Sequence, residues 1–173
     1  YETIEDDIDN RKTTVTDMSE GFTRLIIGLA KKVLIANNLL LYVDTVFGKT
    51  GEGASIVADA TVVGSWVGII AYSMYIYYDF SGYSDMAIGL ARIFGFHFTE
   101  NFNYPFMCRT ISEFWQRWHI SLGSFFRDYL LYIPIFGKRL PYVSLFLVWF
   151  STGLWHGASW NYILWGLYFG VFI

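Results

Sequence analysis

Histidine is the side chain that exchanges a proton near neutral pH, and the chain has three: His97, His119 and His156. His156 stands in the sharpest setting. It lies inside a 34-residue run, 140–173, with no Asp, Glu, Lys or Arg, and is flanked by Trp155, Gly157, Trp160 and Asn161. A polar group in so apolar a stretch faces a cavity or the interior of a helical bundle. Two readings stand: a base that moves protons, or a histidine that hydrogen-bonds two helices together. His119, among Phe114, Trp115, Trp118 and Arg117, divides evenly between the same two readings. His97 lacks such surroundings and reads as a loop residue. Asp79 and Asp85 are acids at the end of an apolar stretch. Carboxylates there more often pair with an arginine, such as Arg92, Arg109 or Arg117, than act as catalytic acids, so they read as structural polar residues.

Other chemistries find no support. Gly82-Tyr83-Ser84-Asp85 lacks the Gly-x-Ser-x-Gly pattern of a nucleophile elbow. No phosphate-binding loop or dinucleotide fingerprint is present. Three histidines and the lone Cys108 show no metal-ligand spacing, so no metal is expected. A single cysteine excludes an internal disulfide. Histidine is left as the best catalytic candidate.

The elements that must position these residues are membrane elements. Mean hydropathy is +0.38; 54% of residues are hydrophobic, 21% aromatic and 16% charged, against about 25% charged in soluble domains. Seven Trp, thirteen Tyr and sixteen Phe are hard to hide from water in a short soluble domain, whereas aromatics gather at the two lipid interfaces. Residues 60–78 form a charge-free run of 19, close to the roughly 20 that a spanning helix needs. The run 140–173 suffices for two short passes. Residues 1–20 carry seven acids and two bases and read as a solvated acidic lead-in loop rather than a substrate site. Net charge, −3 overall, gives no reason to expect nucleic acid. Lys31, Lys32, Lys138 and Arg139 are placed on the cytoplasmic side by the positive-inside rule. The chain opens on Tyr1 rather than Met and stops within an apolar run, so it reads as an internal piece of a longer protein.

Along the chain, 21–47 is apolar with Lys31 and Lys32 in its middle, an expense in hydrocarbon that suggests an interfacial or tilted helix. A turn is expected at 48–53. The run 60–78 is the clearest spanning helix, with Gly64 and Gly68 as a small-residue packing face. A polar break follows at 79–85, then a short helix over 86–94 and a loop at 101–105. Thr110 and Glu113 have capping-box spacing, so a helix starts there. Arg109, Glu113 and Arg117 repeat at i, i+4 along it. After Pro141 a last apolar stretch is interrupted at 153–161. At about 1.5 Å per residue, His156 lies about 25 Å from Arg139, within a hydrocarbon core of about 30 Å.

Several ordered segments together resemble one family: Tyr77-Tyr78-Asp79-Phe80-Ser81-Gly82-Tyr83-Ser84-Asp85, Asn101-Phe102-Asn103-Tyr104-Pro105, Phe114-Trp115-Gln116-Arg117-Trp118-His119, Phe126-Arg127-Asp128-Tyr129-Leu130 and Thr152-Gly153-Leu154-Trp155-His156-Gly157. They are similar to the membrane-bound O-acyltransferases (MBOAT), most of all to the bacterial branch of alginate O-acetylases and peptidoglycan O-acetyltransferases. The likeness begins near residue 20; Gln116 departs from it, standing where that branch usually has a second arginine.

The resemblance implies an all-α, polytopic membrane protein: tilted helices in a ring around a funnel or tunnel, in the cytoplasmic (inner) membrane. It implies transfer of an acyl group from a cytoplasmic thioester donor, acetyl-CoA in the nearest branch, to an extracytoplasmic polysaccharide or relay protein. No bound cofactor is implied. His156 matches the family's central histidine and serves as general base; His119 matches its second. Asn161 and Trp155 are candidates to line the tunnel, and Arg117, Arg127, Lys138 and Arg139 to hold the donor's phosphates. Rival readings are a D-alanyl or other acyl transferase using a carrier-protein thioester, a transporter with His156 on a solute path, and a non-catalytic scaffold.

Overall fold

The computed structural model describes residues 4–48, 61–132, 134 and 140–173, and the described residues are helical with short connections. The chain divides into two compact units, Tyr1–Thr99 and Glu100–Ile173.

The first unit holds α1 (Glu5–Asn10), α2 (Val15–Ala30), a π-helical turn (Lys31–Ala36), α3 (Asn37–Phe47) and α4 (Val62–Ile93). The acidic lead-in is therefore not a loop throughout: α1 lies within it and α2 begins six residues before Gly21. The cause is a capping box. The Thr14 hydroxyl accepts from the Asp17 N–H at 3.1 Å, while the Asp17 carboxylate accepts from the Thr14 N–H at 3.1 Å, satisfying two donors that a helix start leaves open. His97 lies in the connection after α4, its N–H donating to the Asp7 carboxylate at 2.8 Å.

From Val15 to Phe47 the helix is continuous, and among the described residues it alone is long and apolar enough to cross a membrane. The run 60–78 is not the clearest span after all. Its helix, α4, continues for 32 residues straight through the expected polar break at 79–85 and absorbs the short helix expected after it. The reason is in the partners. Asp85 accepts from Arg24 at 2.7 Å and from Lys31 at 2.6 Å, and Asp79 pairs with Lys32. Each aspartate within α4 thus meets a cation of the facing helix. Arg92 pairs instead with Asp17 at 3.3 Å and Glu20 at 2.5 Å. The expected arginine partners are replaced by Arg24 and the two lysines.

α2 and α4 run antiparallel and touch backbone to backbone. A Cβ placed on Gly21 would sit 2.7 Å from the Gly89 oxygen, and one on Gly28 2.6 Å from the Gly82 oxygen. Small residues allow such an approach. Gly68 does pack as expected, against Val46 and Phe47 of α3, whereas among the described residues Gly64 meets Thr61 of its own helix start. Gly48, with φ +78°, ends α3; the remainder of the expected 48–53 turn lies outside the described residues.

The second unit holds a 3₁₀ turn (Pro105–Met107), α5 (Ile111–Arg117), α6 (Ile120–Phe126), a π-helical turn (Arg127–Leu131), α7 (Pro141–His156) and α8 (Trp160–Phe172). The break in the last apolar stretch is shorter than expected, residues 157–159. Gly153 is inside α7, where a Cβ would lie 2.5 Å from the Tyr162 oxygen; one on Gly166 would lie 2.4 Å from the Trp149 oxygen. α7 and α8 therefore form a close-packed hairpin. Trp115 of α5 packs edge-on against Trp149, Trp165 and Phe169 of that hairpin, with centroids 5.1, 5.6 and 5.0 Å away. Edge-to-face contacts of this kind contribute about 0.5–1.5 kcal/mol each beyond area burial.

Candidate active site

His156 is the last residue of α7, at the point where the chain turns into α8. Its Nδ1 lies 2.7 Å from the Thr152 carbonyl oxygen, one turn earlier. A carbonyl can only accept, so in the neutral imidazole Nδ1 carries the hydrogen and Nε2 carries the lone pair. The ring rests against Trp165 of α8 (4.8 Å between centroids) and Trp155 (5.0 Å). At the helix end His156 is exposed in this chain.

His119 lies between α5 and α6 in the left-handed region, φ +48° and ψ +54°, rare for a residue with a side chain. Its ring packs edge-on to Trp155 at 5.7 Å. The Trp155 indole thus contacts both imidazoles, and residues 37 apart in sequence meet at one side chain. Around His119 the backbone is pinned by the segment before α5. Ile120 N–H donates to the Asn101 oxygen and Asn103 N–H to the Arg117 oxygen, both at 3.0 Å, while Phe102 and Trp118 pair as an isolated antiparallel bridge.

α5 starts as its sequence predicts, with one difference. Thr110 caps the Glu113 N–H at 3.1 Å, but the Glu113 carboxylate accepts from the Arg109 N–H at 2.8 Å instead of closing a box on Thr110. Its other oxygen takes Arg117 at 2.6 Å, the expected i, i+4 pair. Arg117 also reaches the Asn103 oxygen at 3.4 Å.

The remaining candidates are more dispersed. Arg127 pairs with neighbouring Asp128 at 2.9 Å, both about half exposed. Asn161 is exposed in the first turn of α8, its N–H 3.4 Å from the Ser159 hydroxyl. Lys138 and Arg139 lie outside the described residues. Asp79 and Asp85 belong to the first unit and are engaged in ion pairs there. Sequence reasoning assigned no role to Asn101, Thr152, Ser121 or Trp165. The Thr152 carbonyl was within reach of inference, because it stands four residues before His156 on a helix.

The family model of the membrane-bound O-acyltransferases matches residues 9–173. The chain belongs to the membrane-bound O-acyltransferase family. Among MBOAT relatives, the probable alginate O-acetylase AlgI of Pseudomonas putida is 43% identical over 177 aligned positions, covering 100% of this chain and 35% of the relative. The peptidoglycan O-acetyltransferase of Helicobacter pylori is 38% identical over 169 positions, 95% of this chain and 31% of the relative. The teichoic acid D-alanyltransferase of Bacillus subtilis is 37% identical over 120 positions, 64% of this chain and 30% of the relative. The chain spans about a third of the length of these MBOAT relatives.

Proposed function

We propose that the protein is a multi-pass O-acetyltransferase of the cytoplasmic membrane, with its helices in a ring around a tunnel. It moves an acyl group from a cytoplasmic thioester, acetyl-CoA in the first instance, to a hydroxyl of an extracytoplasmic polysaccharide or relay protein. The observation that carries this reading is His156 with its Nδ1–H held by the Thr152 carbonyl and its ring facing that of His119 across Trp155. Family membership supplies the acyl chemistry; the 43% and 38% identities to O-acetylases favour acetyl.

In this mechanism Nε2 of neutral His156 takes the proton of the acceptor hydroxyl as that oxygen attacks the thioester carbonyl. A C–O bond forms and the C–S bond breaks. The imidazolium returns the proton to the departing thiolate, so the base is regenerated and no redox partner is needed. General-base assistance of this type contributes about 10²–10⁴-fold. His119 positions a reactant or shares the proton transfer, and Trp155 and Asn161 line the path. Arg117, Arg127, Lys138 and Arg139 are the cationic candidates for the donor's phosphates.

The test is transfer of labelled acetate by the full-length protein, wild type against His156→Ala. The expected loss is about 10²–10⁴-fold; transfer at the wild-type rate would sink the assignment of the base. Supplying a D-alanyl carrier-protein thioester in parallel discriminates the aminoacyl alternative. Solute flux without acyl transfer would point to a transporter, and neither activity to a scaffold.

A further inference from the structure

We propose that Asn101 is a positioning residue of the reaction, fixing His119 as the tautomer whose reactive nitrogen is Nε2. The inference rests on the reading of His119 as part of the catalytic pair.

The argument turns on one oxygen. The Asn101 side-chain oxygen lies 3.1 Å from the Ser121 peptide nitrogen and 2.8 Å from the Ser121 hydroxyl. A peptide N–H can only donate, so the atom of Asn101 facing it is the carbonyl oxygen and not the amide NH₂. The same oxygen lies 3.2 Å from His119 Nδ1. An acceptor there requires the hydrogen of neutral His119 to sit on Nδ1, which leaves the lone pair on Nε2. Ser121 agrees: its hydroxyl spends its hydrogen on Asn101 and turns a lone pair to Nδ1, 3.4 Å away. Meanwhile the Asn101 main-chain oxygen holds the Ile120 N–H at 3.0 Å, steadying the left-handed backbone at His119. One residue therefore sets both the orientation of the ring and the position of its proton. The arrangement parallels that of His156, where the Thr152 carbonyl performs the second task. Both imidazoles then present Nε2 to the reaction.

Asn101→Asp keeps an acceptor for all three donors but adds a negative charge beside the imidazole. Among the described residues, His156 is a titratable group whose charge bears on His119 from a neighbouring element. A nearby carboxylate favours imidazolium and raises the histidine pKa by about one unit or more; a base must be neutral, so the acidic limb of activity moves to higher pH.

The experiment uses the full-length protein with labelled acetyl-CoA, comparing wild type, Asn101→Ala, Asn101→Asp and His119→Ala. Asn101→Ala is expected to lower kcat about 10-fold or more with the donor KM within about twofold. Asn101→Asp is expected to recover kcat at alkaline pH with its acidic limb displaced upward by about one unit. If Asn101→Ala fails to fold, the Asp profile alone decides. An Asp profile that overlays wild type, or full kcat in Asn101→Ala while His119→Ala is inactive, overturns the positioning role and leaves the catalytic pair standing. Wild-type kcat in His119→Ala overturns the catalytic pair itself.

Discussion

The two units use their polar residues in opposite ways. In Tyr1–Thr99, charged side chains on α2, the π-helical turn after it and α4 are spent on one another: Arg24 and Lys31 on Asp85, Lys32 on Asp79, Arg92 on Asp17 and Glu20. In Glu100–Ile173, aromatic rings and glycine contacts hold the helices. The histidines there are anchored through Nδ1 by uncharged oxygens of Thr152 and Asn101. An imidazole held by a neutral acceptor keeps its second nitrogen for chemistry, whereas a carboxylate already sharing two cations has little left to offer a substrate. The comparison separates residues that fold the protein from residues that react.

That separation can be broken by experiment. The largest effect is expected for His156→Ala: transfer falls by about 10²–10⁴-fold, while the thermal midpoint in detergent stays within about 2 °C of wild type. A large drop in the midpoint would make His156 a structural residue like Asp85. Next comes Asp85→Ala, which strips Arg24 and Lys31 of a shared partner and is expected to destabilise the folded protein by about 3 kcal/mol. Activity per folded molecule should change little; a loss of kcat with stability intact would move Asp85 to the reactive side. Gly28→Val forces apart two backbones that touch at Gly82, at about 2 kcal/mol, read as a lowered thermal midpoint. The smallest effect is expected for Glu113→Gln, whose solvent-screened pair with Arg117 adds little to stability, so the thermal midpoint should stay near that of wild type. A fall in transfer larger than the fall in stability would give Arg117 a role toward the donor.

How much of this was legible beforehand follows the same division. His156 and His119 stood out because their neighbours in sequence are aromatic and uncharged, a local property. The start of α5 was legible at Thr110 and Glu113 for the same reason. Asp79 and Asp85 were read as a break in a helix because a carboxylate is costly there when unpaired. Their partners lie 47 to 61 residues away, beyond the reach of any local pattern. Lys31 and Lys32 pose the same problem in mirror image: costly in hydrocarbon when read alone, they are met by Asp85 and Asp79. The spacing of seven between Gly21 and Gly28, and again between Gly82 and Gly89, was in plain view, yet only the antiparallel pairing gives it meaning. Asn101 sat in a recognisable segment, but its task depends on a left-handed turn 18 residues later.

The π-helical turn at Lys31–Ala36 also makes the long first helix a rod with a phase slip. A π turn accommodates about one residue more than regular winding does, so it takes up one residue without turning the half beyond it. Were residues 31–36 to wind regularly with none removed, everything beyond would rotate by about 100° relative to the Arg24 end. Phe47 would swing off Gly68 even though every residue was unchanged. Winding, at this one place, matters to the packing as much as residue identity.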